Sequence, residues 1–387
     1  MNRSAFFHQI AYGTFGATIL PKDVISSFLQ MSAVSDPLYV GCYTSSPQEG
    51  IPVCSFDPNN GEIQSIDECR EVKNPSYLIY SNTRKYIYAV NETDDFRDHH
   101  SGSVSAFLRD EKSGLLTFLN AVPTLGAHPC HLTIDATGRF ILVANYSSGN
   151  VSVLPVLKDG QLGEAVCMVQ HDGKGPVNSR QECAHAHSVN LAPDNRFAIV
   201  CDLGTDKIMI YHFDQFSGKL TPAGIPFFQT APGAGPRHFV FSQDGKNAFA
   251  VNELNSTITF FRYDTPSGAL TELHTLSTLA PDITVANTCA DIHLSPDGRF
   301  VYASNRGHNS IAVFQIDRES GKLNTVQHQS TLGKTPRNFT IHSSGKFLLA
   351  ANQDSNDIQV FSVDQATGKL SKTGKFININ KPVCLLL

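Results

Sequence analysis

One pattern recurs six times along the chain and restricts its fold more than any other feature. Each copy is an apolar run, a tight turn and a second apolar run, as in "GPRHFVFSQDGKNAFAVNE" (235–253). The others are "NPSYLIYSNTRKYIYAVNE" (74–92), "HPCHLTIDATGRFILVANY" (128–146), "HAHSVNLAPDNRFAIVCDL" (185–203), "TCADIHLSPDGRFVYASNR" (288–306) and "TPRNFTIHSSGKFLLAANQ" (335–353). Short apolar runs about such a turn read as β-hairpins. The turn positions Arg84, Gly138, Asn195, Gly245, Gly298 and Gly345 lie 54, 57, 50, 53 and 47 residues apart. A period of about 50 residues is that of a β-propeller, in which each repeat is one four-stranded blade. A helical solenoid would need a 3.6-residue apolar period, which these segments lack.

Each copy is followed by a third strand, such as "STITFFRYD" (256–264), and most then carry Asp-x-x-x-Gly, as at Asp264–Gly268 and Asp317–Gly321. The glycine supplies the positive φ of a hairpin loop into a fourth strand. Six copies leave one blade split. "PLYVGCYTS" (37–45) and "IPVCSFD" (51–57) read as its second and third strands, and "KPVCLLL" (381–387) matches the proline-led first strand of the other repeats. Pairing the terminal strands closes the ring and removes the open sheet edges. The expected fold is all-β: a seven-bladed β-propeller over residues 37–387, closed by its N- and C-terminal strands. Residues 1–36 form an extension expected to be poorly ordered, and Met31 is read as an alternative start.

Composition narrows the partners. Net charge is −5 and no Lys/Arg run occurs, so neither nucleic acid nor an anionic membrane is expected as a partner. No apolar run reaches the length of a transmembrane helix. The nine cysteines are an odd number with no C-x-x-C, which fits reduced thiols in a cytoplasmic protein. There is no G-x-S-x-G, H-E-x-x-H or P-loop. His185 and His187 alternate on one strand and are not expected to share a metal. No cofactor or metal is expected, and the chain is expected to be a monomer or weak homo-oligomer.

In a propeller the first strand of each blade lines the central channel, and the second runs antiparallel beside it. The start of one and the end of the other therefore share one rim. Matched positions at the start of strand one are Ser76, Cys130, His187, Arg237, Ala290, Arg337 and Val383, followed by Tyr77, His131, Ser188, His238, Asp291, Asn338 and Cys384. The ends of strand two contribute Glu92, Tyr146, Leu203, Glu253, Arg306 and Gln353. The recurrent Asn91, Asn145, Asn252, Asn305 and Asn352 read as structural caps of strand ends. Varied identities at matched positions point to one asymmetric pocket. Three arginines converging on a pore are tolerable where an anionic ligand is their neighbour.

The stretches "GAGPRHFVFSQDG", "AVNELNSTI", "ADIHLSPDGRFVYASNRGHNSIAVF" and "ANQDSNDIQVF" carry a resemblance. From about residue 37 onward the chain resembles the seven-bladed-propeller lactonases, the bacterial 6-phosphogluconolactonase family related to the fungal carboxy-muconate cyclases. The resemblance implies a catalytic set of His187 (with His185 as rival), Arg237, Glu253 and Arg306. Substrate contacts are expected from His131, His185, His238, Arg337, Glu92 and Gln353. It implies hydrolysis of a small anionic sugar lactone, 6-phospho-D-glucono-1,5-lactone in the first instance. Alternatives are a lactonising cyclase, a lactonase for another anionic lactone, and a non-catalytic propeller scaffold. Imidazole titrates near neutral pH, so His187 is the expected general base. Glu253 is expected to orient it or to deliver a proton, Arg237 or Arg306 to face the oxyanion, and Arg337 to hold the phosphate or hydroxyls.

Overall fold

A computed structural model describes residues 35–387 apart from Glu71, His99 and Arg318. The expectations for residues 1–36 fall almost wholly outside these residues. Among them, seven four-stranded antiparallel sheets account for every strand, and the helical content is one 3₁₀ turn at Phe96–Asp98. Blade 1 is the split one: its inner strand Pro382–Leu386 pairs with Asp36–Cys42, followed by Ile51–Phe56 and Ile63–Cys69. The inner strands of blades 2 to 7 are Pro75–Tyr80, Pro129–Ile134, Ala186–Leu191, Pro236–Phe241, Thr288–Leu294 and Pro336–Ile341.

The turns follow their local chemistry. All six aligned turn positions take a positive φ, including the non-glycines Arg84 (57°) and Asn195 (59°). The Asp-x-x-x-Gly loops close as hairpins. At Asp264–Gly268 the Gly268 N–H donates to the Asp264 carbonyl (2.8 Å), with Gly268 at φ 76°.

Packing explains why the blades cannot stand alone. The buried apolar side chains fall into seven clusters, each bridging two adjacent blades. One joins Phe197, Ile199 and Ile210 of blade 4 to Phe239, Ala250 and Phe261 of blade 5. Second strands such as Phe140–Asn145 and Phe347–Asn352 are buried at every residue, because a neighbouring blade covers each face. Outer strands such as Leu370–Asn378 alternate exposed and covered residues, as a half-solvated strand should. The hydrophobic core is therefore distributed around the ring, and polar residues are left to line its axis.

Candidate active site

The rim is built on a repeated irregularity. In every blade the register between inner and second strand slips near the start of the inner strand, after the first pair in six blades, as between Pro236↔Asn252 and His238↔Val251, and after the second pair in blade 6. The skipped residues are Ser76, Cys130, His187, Arg237, Arg337 and Val383, with Ala290 and Asp291 both skipped in blade 6. A β-bulge bends its strand and re-aims the extra side chain. It lets the consecutive residues Arg237 and His238 enter one buried cluster, where Arg237 Nη1 donates to His238 Nε2 (3.1 Å).

Glu253, at the end of the second strand of blade 5, anchors the cationic side. Its carboxylate receives Arg237 Nε (2.9 Å), Arg306 Nη2 (2.8 Å) and Arg180 Nη2. Burial alone would raise its pKa, but Arg306, Arg237 and Arg180 hold it at about 2. This corrects two expected roles. Glu253 carries no proton to deliver near neutral pH, and among the described residues its oxygens bond to arginines and not to His187. The guanidiniums remain in excess of this carboxylate. Burial, with repulsion from Arg306 and Arg337, lowers Arg237 to about 10. Arg306 Nη2 also donates to the Cys289 carbonyl (2.8 Å), while its buried Nε has no partner among the described residues.

Three histidines form the floor. The His238 ring lies 5.3 Å from that of His131 and 5.4 Å from that of His187. His238 Nε2 accepts from Arg237, so its Nδ1–H donates to Asp291 Oδ1 (2.8 Å), and both ring nitrogens are engaged. Burial and Arg237 lower His238 to about 4. Asp291 also receives His293 Nε2 (2.9 Å) and Asn338 Nδ2 (2.5 Å). His131 packs on Tyr77 with ring centres 4.3 Å apart, and its Nδ1 accepts the Val189 N–H (3.4 Å). Burial, with Arg237, His238 and Arg337 nearby, holds His187 well below the ordinary imidazole value. His187 is thus neutral at pH 7 without titrating near it, which corrects the basis on which it was expected to act. Its Nδ1 lies 3.8 Å from Cys130 Sγ, a buried thiol whose pKa is pushed up by burial.

Arg337 projects from blade 7 with its guanidinium over the Tyr43 ring, 5.3 Å from the centroid. The Tyr43 hydroxyl reaches Glu92, 2.9 Å from each carboxylate oxygen. Among the described residues Arg337 has no carboxylate within 4 Å, and Glu92 acts on it from a longer distance, beyond the Tyr43 hydroxyl. His185 stacks on Tyr146 with centres 4.5 Å apart, while His187 meets the same ring edge-on at 5.3 Å. The two histidines thus flank Tyr146 and face different partners. Gln353 joins the cluster through no hydrogen bond among the described residues. Its Nε2 donates to Asp354 (3.0 Å), and its Oε1 is buried without a partner.

Arg180 was not expected from the sequence. It lies on the connection between blades 3 and 4, outside the repeat, and half-reaches solvent (38% side-chain exposure) while also meeting the Tyr146 hydroxyl (3.4 Å). The only signal was the 57-residue spacing there, the longest of the five. Gly204 seats this connection: a Cβ there would stand 1.9 Å from the Cys183 carbonyl. On the same connection Glu182, Cys183 and His185 bring three metal-ligating atoms within 4.8 Å of one another.

A pore rim of neutral imidazoles and surplus guanidiniums is suited to acyl transfer on an anionic ester. Comparison with known proteins agrees with that chemistry. Residues 37–387 match the family model described as lactonase, 7-bladed beta-propeller. The 6-phosphogluconolactonase of Bacillus subtilis is 37% identical over 292 residues, covering 76% of this chain and 81% of that protein. The 6-phosphogluconolactonase of Formosa agariphila is 36% identical over 296 residues, covering 76% and 82%. The solved periplasmic gluconolactonase of Pseudomonas aeruginosa superposes with a TM-score of 0.85 at 34% identity, covering 90% of this chain and 98% of that one. The chain belongs to the seven-bladed β-propeller lactonase family. It is a lactonase.

Proposed function

We propose that the enzyme hydrolyses 6-phospho-D-glucono-1,5-lactone to 6-phosphogluconate, a step of the oxidative pentose phosphate pathway. The observation that carries this reading is the crowding of four guanidiniums at the rim. Arg180, Arg237 and Arg306 share one carboxylate, Glu253, and Arg337 stands over Tyr43 without an ion pair. The names of the Bacillus and Formosa relatives support a phosphorylated lactone.

In this reading His187 takes a proton from water as the water oxygen bonds to C1 of the lactone. The carbonyl oxygen becomes an oxyanion facing Arg306 and Arg237, stabilised by preorganised donors as in other acyl transfers. The bond from C1 to the ring oxygen then breaks, and His187 returns the proton to that oxygen. The new carboxyl group loses its own proton to solvent. Arg337 and Arg180 hold the phosphate. A bound dianion offsets the guanidinium repulsion that depresses His187 and so makes it a stronger base in the complex than in the free enzyme. Glu253 keeps the arginines in place.

A cytoplasmic location belongs to the proposal. Cys42, Cys54, Cys130, Cys201, Cys289 and Cys384 are buried thiols outside any disulfide, as a reducing compartment favours. No helix among the described residues is long and apolar enough to cross a membrane. A second reading, an unphosphorylated lactone, is supported by the name of the Pseudomonas neighbour. Rates for 6-phosphogluconolactone, gluconolactone and a carboxy-muconate substrate, each corrected for spontaneous reaction, separate the readings. The phosphorylated lactone should have the highest kcat/KM. Equal values for the first two would remove phosphate recognition, turnover of the muconate alone would favour the cyclase, and no turnover of any would revive a binding scaffold.

A further inference from the structure

The connection between blades 3 and 4 carries a donor set that the lactonase chemistry does not use. His185 is buried and fixed on two sides: its ring stacks on Tyr146 at 10° and its Nδ1 lies 3.0 Å from the Tyr146 carbonyl. A carbonyl only accepts, so Nδ1 bears the hydrogen, and in the neutral ring Nε2 presents a lone pair. That lone pair faces Glu182 Oε1 at 3.4 Å and Cys183 Sγ at 3.8 Å. A carboxylate facing an imidazole lone pair is relieved by a positive charge between them, either a proton on the ring or a bound metal cation, and the thiol beside them favours the metal. Tetrahedral bonds of about 2.0–2.3 Å to a metal hold its donor atoms roughly 3.3–3.8 Å apart, matching the two spacings from His185, while all three donors lie within 4.8 Å of one another. Donation of the other ring nitrogen to a backbone carbonyl is also how metal-binding histidines are usually oriented.

We infer that Glu182, Cys183 and His185 form a binding site for a thiophilic divalent cation, Zn²⁺ above all, at the edge of the substrate pore. Nitrogen, sulfur and carboxylate donors together suit zinc rather than magnesium or calcium, which take oxygen. Glu182 and Cys183 are exposed, leaving the fourth position to water. Binding replaces the Cys183 thiol proton, which passes to solvent, so the sulfur enters as thiolate. The His185 ring stacks on Tyr146, whereas His187, of the proposed reacting cluster, meets that ring edge-on. Zinc here would tie down the connection that bears Arg180.

The test uses the full-length enzyme, stripped with a chelator and titrated with Zn²⁺ against a chromophoric competitor, and separately with Co²⁺. One equivalent should bind. The cobalt form should show a thiolate-to-metal charge-transfer band in the near ultraviolet. Cys183→Ser, a change at an exposed side chain, should abolish the band and weaken zinc at least tenfold, with hydrolysis by the metal-free enzyme unchanged. Glu182→Gln should weaken zinc while keeping the cobalt–thiolate band. Absence of stoichiometric binding would overturn the inference. So would a band that survives Cys183→Ser, or zinc affinity that is unchanged in both variants.

Discussion

His187 and Arg337 both occupy bulge positions, yet the proposed reaction asks different things of them, and kinetics can separate the two. In the proposed reaction His187 acts on the water and not in holding the substrate. His187→Ala should lower kcat about 10²–10⁴-fold with little change in KM, measured over the spontaneous rate. A rate near wild type would remove His187 from the role of general base. In the proposed reaction Arg337 would hold substrate and transition state alike. Arg337→Met should raise KM for the phosphorylated lactone roughly ten- to a hundredfold, the worth of a lost charge-assisted bond of about 1.5–3 kcal/mol, with kcat nearly constant. The same variant should leave gluconolactone kinetics unaltered, and an unchanged ratio of kcat/KM between the two lactones would remove Arg337 from the site. A third test is thermodynamic. His238 is lowered to about 4 in the folded protein, so between that value and its unfolded value near 6.5 only the unfolded chain carries the proton. Stability from this residue is therefore full above about pH 6.5 and is lost as pH falls toward 4. Unfolding near pH 5 should take up about one proton fewer in His238→Asn than in wild type, measured calorimetrically in buffers of different ionisation enthalpy.

Strand ends and turns carry the regularity that made the architecture readable. The asparagine closing the second strand bonds back to the segment that enters the blade. Asn145, Asn305 and Asn352 donate to the carbonyls of Thr124 (3.1 Å), Thr278 (3.0 Å) and Thr331 (3.2 Å), the residues after the preceding blades' outer strands. Thr278 Oγ1 returns a bond to Asn305 Oδ1 (2.7 Å). Asn305→Ala strands these buried groups and should cost about 1–3 kcal/mol of stability, read by denaturant melts, while kcat/KM stays within about twofold. The recurrence of such residues made seven blades legible, because a turn or cap imposes its own φ or hydrogen bond wherever it occurs. The rim positions were legible for the same reason. The bulge that aims them was not, since Arg237 and His238 look like any adjacent pair on a strand. The protonation of Glu253 and His187 was hidden too. It depends on Arg180, Arg306 and Arg337, brought in from three other parts of the chain. Arg180 itself has no counterpart in other repeats against which it could be compared.

Seven apolar clusters, each shared by neighbouring blades, make the whole ring the unit of stability. Pro382–Leu386 contributes to two of them, through Leu385 against blade 7 and Cys384 against blade 2. Deleting residues 381–387 should strip these contacts, at about 1.5–3 kcal/mol for each buried aliphatic side chain, and bare the edge of Asp36–Cys42. The variant should melt at a markedly lower temperature and scatter light on standing. Unchanged melting would refute the view that this strand closes the ring. The same pairing has a consequence in time. Cys42 and Pro382 are 340 residues apart in the chain and yet are paired neighbours in blade 1. At about 5–20 residues per second, the ribosome takes on the order of 17–70 s to supply the partner strand. For that interval the first strand waits with its hydrogen-bonding edge unsatisfied, and it is then that a nascent chain of this design has most need of a chaperone.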